Sequence, residues 1–216
     1  MGTKLVSSLD VRKFAQIQAG LEAGAFYSKY LYNLPFFKNY VEHVAEMARR
    51  STLLGNGAIL EFGVATGTTL TAIANSAKKP VVGFDSFEGL PTDWRDGAKA
   101  GSFACEPPKL PPNATLRIGR IEDTLPKFID EIARSEINFI HVDTDLYEPA
   151  KFILDTCAPL MRDTIVVFDE FFNYPGWRDH EFKAFCEFRK RNQEIFKFRY
   201  LGMGGTVAVS VQITRI

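Results

Sequence analysis

The chain has 216 residues, 46% hydrophobic and 24% charged, the composition of a globular domain with a sizeable core. Its 26 basic and 26 acidic side chains cancel, so no long-range field draws it to nucleic acid or anionic lipid, and small neutral or weakly charged ligands fit better. Three cysteines, Cys105, Cys157 and Cys186, are odd in number and form no C-x-x-C pair, which argues against a disulfide framework and a zinc site and for a reducing, cytoplasmic setting.

In chain order, "MGTKLVSSLD" lacks the apolar centre of a secretory leader, and Val6 stands where a myristoylation signal needs Ser or Thr. No run approaches the roughly 18 apolar residues that span a bilayer, so no membrane partner is expected. Residues 9 to 52 read as helical, with Pro35 splitting them in two. As segment 1–56 they either cap a site, form the interface of a homo-oligomer, or cover one face of a sheet. From residue 57 short apolar runs alternate with helical patterns, which signals a parallel sheet wrapped by helices. Strands are predicted at "AILEF" (58–62), "VVGFD" (81–85), "TLRIG" (115–119), "INFIHVD" (137–143) and "TIVVFD" (164–169). "LPKFIDEIARS" and "AKFILDTCAPLM" are the clearest helices between them. After residue 193, "IFKFRYL" and "TVAVSVQI" alternate like strands across "GMGG", which predicts a terminal antiparallel hairpin. The sequon Asn113-Ala114-Thr115 reads as chance in a cytoplasmic chain.

"LEFGVATGTTL" (60–70) is a strand-to-helix turn, where glycines let a ligand approach the backbone and free N–H groups of the next helix favour negative groups. A dinucleotide fingerprint counted from Gly63 needs glycine at Ala65 and Thr68, which counts against a pyrophosphate. Asp85 ends the second strand, from where a carboxylate accepts ribose hydroxyls. Glu61 would repel a pyrophosphate but suits the amino group of an amino-acid tail. S-adenosylmethionine carries both a ribose and such a tail.

Residues 60–67, "GFDSFEGLP" (83–91), "GRIEDTLP" (119–126), "HVDTDLYEP" (141–149) and "VVFDEF" (166–171) together resemble the motif series of class I S-adenosylmethionine-dependent methyltransferases. The chain is most similar among them to the macrocin O-methyltransferase family, whose members methylate sugar hydroxyls on antibiotics. The resemblance implies a Rossmann-like α/β fold: a seven-stranded, mostly parallel sheet with helices on both faces and a C-terminal antiparallel hairpin, one unit over 57–216. It also implies that Glu61, Gly63, Gly67 and Thr68 shape the methionine and ribose side of the cofactor, Asp85 holds the ribose with Ser86 beside it, and Ile121, Glu122 and Asp123 meet the adenine. Asp123 reads equally as a helix cap before Pro126.

Asp143 closes the fourth strand and Asp169 the fifth, with Glu170 next to it, and parallel neighbours bring these ends together on the ligand edge of the sheet. Three carboxylates in one crevice call for a cation, and hard oxygen ligands suit Mg²⁺. Asp143 then serves both metal and cofactor. The family's use of a divalent ion agrees, although Glu170 replaces a more common Asp. A metal-bound hydroxyl loses its proton more easily, and Asp145 is the candidate general base, as its counterpart is in related sugar methyltransferases. Asp145 with Glu148 also forms a capping box ahead of Pro149, and all these acids can be read as helix caps with no metal.

Residues 90–113, with Trp94 and Phe103, form either a lid over a small-molecule hydroxyl acceptor or a plain surface loop. Tyr174 and Trp177 stack on a substrate ring or belong to the core. His180 is an alternative base or donor, or a cap facing solvent. His141 reads as structural, and Arg189, Lys190, Arg191, Lys197 and Arg199 as a solvated face or a guide for an anionic substrate. Two other functions stay open. A nicotinamide-dependent oxidoreductase is opposed by the missing glycine and the hairpin, and a non-catalytic S-adenosylmethionine-binding protein by the joint presence of the acids.

Overall fold

Five predicted strands pair in parallel side by side in one sheet, and the most apolar of them lie inside it, as strands covered on both faces must. The computed structural model describes residues 10–95 and 97–216. Met1–Leu9, read above for targeting signals, and Asp96 lie outside the described residues. In chain order the elements are α1 (Val11–Tyr30), β1 (Phe36–Phe37), α2 (Tyr40–Ser51), β2 (Ala58–Phe62), α3 (Thr68–Ala77), β3 (Val81–Asp85), β4 (Ala114–Ile118) and α4 (Ile121–Glu131). They continue with β5 (Ile137–Val142), α5 (Tyr147–Cys157), β6 (Met161–Phe168), α6 (Glu181–Asn192), β7 (Phe196–Gly204) and β8 (Ala208–Arg215).

The sheet has the order β1-β7-β8-β6-β5-β2-β3-β4, and only β8 runs antiparallel to its neighbours. This is the expected Rossmann-like arrangement with its terminal hairpin, but with eight strands rather than seven. The eighth is β1, two residues long, which pairs with β7 through Phe36 and Phe37. Met203 N–H donates to the Pro35 carbonyl at 3.0 Å and Gly205 N–H to Phe37 at 2.9 Å. So short a strand carries no periodicity that a sequence can display.

Two cores flank the sheet. Phe62, Phe84, Val142, Phe168 and Trp177 pack toward α4, α5 and α6. Ile59, Phe139 and Val167 pack against Val44 and Met47 of α2 and Leu70 and Ile73 of α3. Of the readings for the N-terminal segment, α2 covers a sheet face, with Asn39 capping it by accepting from Val41 and Glu42. By contrast, α1 buries only Ala19 and Ala23, and its Phe26 ring leans on Phe171, Phe172 and Phe182 at 5.6 to 6.0 Å. Asn113 donates to the carbonyls of Ala74 and Lys79, so the sequon side chain ties α3 to β4. All three cysteines are free. Among the described residues no helix is long and apolar enough to cross a membrane.

Strand order reverses at β2, whose neighbours are β3 on one side and β5 on the other, and ligands of open α/β sheets bind at such a switch point. Gly63, the first residue past β2, has φ +86°, and a Cβ there would lie 1.7 Å from the Asp143 carbonyl oxygen. Only glycine lets the ends of β2 and β5 close together. Gly63→Ala is expected to cost about 3 kcal/mol or more; an unchanged urea midpoint would show that the two strand ends do not meet this closely.

Candidate active site

The parallel ladder continues past the ends of the strands. Asp143 N–H donates to the Phe62 carbonyl at 2.8 Å and Asp169 N–H to Val142 at 3.0 Å, which sets the two acids side by side. A cavity of about 980 Å³ opens above them. Of the residues singled out from sequence, Gly63, Asp85, Ser86, Ile121, Glu122, Asp143, Asp145, Asp169, Glu170 and His180 line it. This volume is in the range of pockets that enclose a whole small molecule.

Glu61, Gly67 and Thr68 do not line the cavity. Glu61 is fully buried on the α2 and α3 face of the sheet, where Oε1 meets His141 Nδ1 at 2.8 Å. Gly67 sits under Pro108 and Leu110, and Thr68 is exposed with its hydroxyl 3.1 Å from Thr66. Asp85 reaches the cavity while building the turn: Oδ2 accepts from Val64 and Ala65 at 2.7 and 2.8 Å, and Oδ1 from Phe87 at 2.8 Å. A carboxylate offers about four acceptor positions, so it retains capacity for a ligand hydroxyl. Ser86 Oγ accepts from Glu88 N–H.

The capping readings do not hold. The N-cap of α5 is Leu146, with no side-chain cap, so Asp145 and Glu148 form no capping box. Asp145 instead carries φ +63°, a strained conformation of the kind that clusters at functional sites. Asp123 lies in the first turn of α4, behind Arg120 as N-cap.

Of the expected metal set, the structure brings Asp143 and Asp169 side by side and turns Glu170 to another partner. Among the described residues, the group with ligand atoms within 4.8 Å of one another is His141, Asp143 and Asp169. Glu170 turns to Arg95, whose guanidinium lies 3.2 Å from Oε1. His141 Nε2, Asp169 Oδ1 and Glu170 Oε2 are buried with no hydrogen-bond partner. Buried acids and an imidazole with unused ligand atoms have the donor chemistry of a cation site.

The loop from residue 90 folds onto the cavity rather than away from it. Leu90 and Ser102, Gly101 and Leu90, and Trp94 and Ala98 exchange backbone hydrogen bonds, and Trp94, Arg95 and Phe103 face the opening. Arg95 stacks over Trp94 at 3.9 Å. Tyr174 and Trp177 belong to the core, at 3% and 1% exposure, and Tyr174 backs this wall with its ring 5.7 Å from Trp94 and 6.3 Å from His180. Arg191 pairs with Asp155 and Arg199 with Gln212, as a solvated face does.

Sequence reasoning missed Arg95, Glu181 and the alignment of His141. Glu181, fully buried at the start of α6, accepts backbone N–H groups of both Thr144 and Glu170 at 3.2 Å, and so ties together the two loops that carry the acids. Nothing in "RDHEF" marks it, because its partners are backbone groups distant in sequence.

Residues 60–171 match the protein family described as "Methyltransferase domain". No curated protein sequence matches significantly. Among solved structures, CalS11, a calicheamicin methyltransferase, is 23% identical over 98% of this chain and 97% of its own, with a TM-score of 0.62. Its apo form, described as a TDP-rhamnose 3'-O-methyltransferase of calicheamicin biosynthesis, is 24% identical over 79% of each chain, with a TM-score of 0.56. An O-methyltransferase from Bacillus cereus in complex with SAH is 16% identical over 96% of this chain and 94% of its own, with a TM-score of 0.52. At these identities the three structures establish the fold.

Burial pushes Asp145 up to about 7, with Asp169 adding to the shift and Arg95 opposing it; Glu170 also rises to about 7 through burial. Burial raises Asp143, Asp169 and Glu181 as well, and for Asp143 and Glu181 neighbouring acids add to the effect. An acid whose pKa is raised by folding contributes stability below its unfolded value and loses it as pH rises through the folded one. His43, lowered to about 4, and His180, also lowered, both chiefly by burial, work in the opposite direction. The acids outnumber them, so in EDTA the melting temperature is expected to fall as pH rises from about 5 to about 7, and millimolar Mg²⁺ to reverse the fall. A flat profile in calorimetry would contradict this electrostatic picture.

Proposed function

Because the chain belongs to the methyltransferase-domain family, we propose that it is an S-adenosylmethionine-dependent O-methyltransferase acting on a hydroxyl of a small molecule, with a divalent cation such as Mg²⁺ at its buried acids. The observation that carries this reading is one cavity, at the topological switch point, lined on one side by Gly63, Asp85, Ser86, Ile121 and Glu122 and on the other by Asp143, Asp145 and Asp169. The first group suits a nucleoside with an amino-acid tail, the second a hydroxyl that must lose a proton. The SAH complex of the Bacillus cereus neighbour supports the cofactor, and the TDP-rhamnose activity of CalS11 supports a sugar acceptor of the macrocin O-methyltransferase kind.

S-adenosylmethionine supplies an electrophilic methyl carbon, and a cation at the acids supplies the positive charge that eases ionisation of the acceptor hydroxyl. Asp145 takes the hydroxyl proton as the oxygen forms its bond to the methyl carbon and the carbon–sulfur bond breaks, leaving S-adenosylhomocysteine. A base with a pKa of about 7 is matched to that task near neutral pH. Its backbone is fixed between Asp143 and the start of α5, so the carboxylate is already aimed into the cavity. Trp94 and Arg95 cover the opening and exclude water from the reacting atoms. His180 stands on the wall with its pKa lowered by burial, ready to orient the acceptor as a neutral ring.

Titration of S-adenosylhomocysteine by calorimetry is expected to show saturable binding, and a protein that binds none would sink the reading. Asp145→Asn is expected to keep that binding and lose roughly 10²- to 10⁴-fold in kcat on a sugar-hydroxyl acceptor. Full turnover by the variant would remove Asp145 from the role of base.

A further inference from the structure

His141 occupies the middle of the sheet, in register with Glu61 of β2 on one side and Val167 of β6 on the other. Strand alternation gives it the same face as Asp143, two residues on, and the parallel register gives Asp169 that face as well. Both His141 and Glu61 are completely buried, and the Nδ1 to Oε1 distance is 2.8 Å. An ionised carboxylate only accepts, so with Glu61 ionised Nδ1 carries the proton and Nε2 keeps its lone pair. That lone pair has no partner, and Asp169 Oδ1 beside it has none either. The ligand atoms of His141, Asp143 and Asp169 stand within 4.8 Å of one another. A histidine that ligates a metal generally donates its other ring N–H to a carboxylate, which fixes the tautomer and ring orientation.

We infer that His141 Nε2 is a ligand of the cation at this site, together with Asp143 and Asp169, that Glu61 is the outer partner orienting the imidazole, and that the site prefers a first-row transition ion such as Mn²⁺ to Mg²⁺. The inference rests on the reading above only in placing a cation at these acids. One nitrogen and two carboxylates form a borderline donor set, whereas Mg²⁺ favours oxygen alone. Glu170, held by Arg95, is left outside the set. The buried Glu61 of the glycine turn thereby acquires a role at the metal rather than at the cofactor.

The test reads metal binding, not turnover. After EDTA treatment and dialysis, Mn²⁺ is titrated into the protein and the bound ion examined by electron spin-echo envelope modulation, which detects imidazole nitrogen coupled to the metal. Nitrogen modulation is expected in the wild type and in His180→Asn, and its loss in His141→Gln, with Mn²⁺ binding at least about tenfold weaker in His141→Gln and in Glu61→Gln. Mg²⁺ is expected to displace Mn²⁺ only in large excess. Bound Mn²⁺ without nitrogen coupling overturns the inference while leaving a cation at the acids. Coupling that vanishes with His180→Asn or persists in folded His141→Gln assigns the nitrogen elsewhere and overturns it too. Absence of any Mn²⁺ binding overturns the inference and the metal-assisted mechanism together, and leaves cofactor binding to stand or fall by its own titration.

Discussion

The amide of Asp143 on the Phe62 carbonyl, and that of Asp169 on the Val142 carbonyl, extend the parallel ladder one step beyond the last core residues. From this single continuation follows the character of the site. Two carboxylates that would otherwise stand in solvent are brought abreast over a fully buried strand, with Glu61 and His141 directly beneath. Gly63 is what allows it, since any side chain there would meet the Asp143 carbonyl. Desolvation and mutual repulsion then push the acids toward their protonated forms, against which Arg95 at the rim acts. A site so built is stabilised by protons or by a metal ion.

Around that constraint three supports are arranged. Glu181 clasps the backbones of both acid-bearing loops, so that Asp145 and Glu170 are positioned by α6 as well as by their own strands. Arg95 joins the loop over the cavity to Glu170 and stacks on Trp94, which links closure of the opening to the charge of the acid cluster. Asp85 clamps the turn after β2 by the N–H groups of Val64 and Ala65, and its own turn after β3 by that of Phe87, and so holds Gly63 and Ala65 against the cavity. Each support acts through hydrogen bonds to carboxylate oxygens, whose geometry fixes the backbone or side chain that donates to them.

Much of this was legible in the sequence, for identifiable reasons. The runs at 58–62 and 81–85 are the strands β2 and β3, because continuous apolar stretches bounded by turn residues have few other ways to be buried. The strand ends at Asp143 and Asp169 were legible for the same reason. What escaped was mostly a matter of facing. Side chains of a strand alternate between its faces, so His141, two before Asp143, turns toward the acids, while Glu170, past the end of β6, turns to Arg95. Glu61 was placed at the cofactor because it precedes the glycine turn, yet its parity puts it on the α2 and α3 side, against His141. β1 is tied to β7 by main-chain hydrogen bonds, and Glu181 binds main-chain N–H groups, interactions that no residue type announces in advance.

The measurement closest to the central claim is a crystal structure of the protein grown with S-adenosylhomocysteine and Mn²⁺, with anomalous data collected above the manganese edge. The account predicts one anomalous peak between Asp143 and Asp169, in the same cavity as the nucleoside and on the side of Asp145. Nucleoside density over Gly63 and Asp85 with no anomalous peak at the acids would contradict it, leaving the buried carboxylates to be neutralised by protons alone.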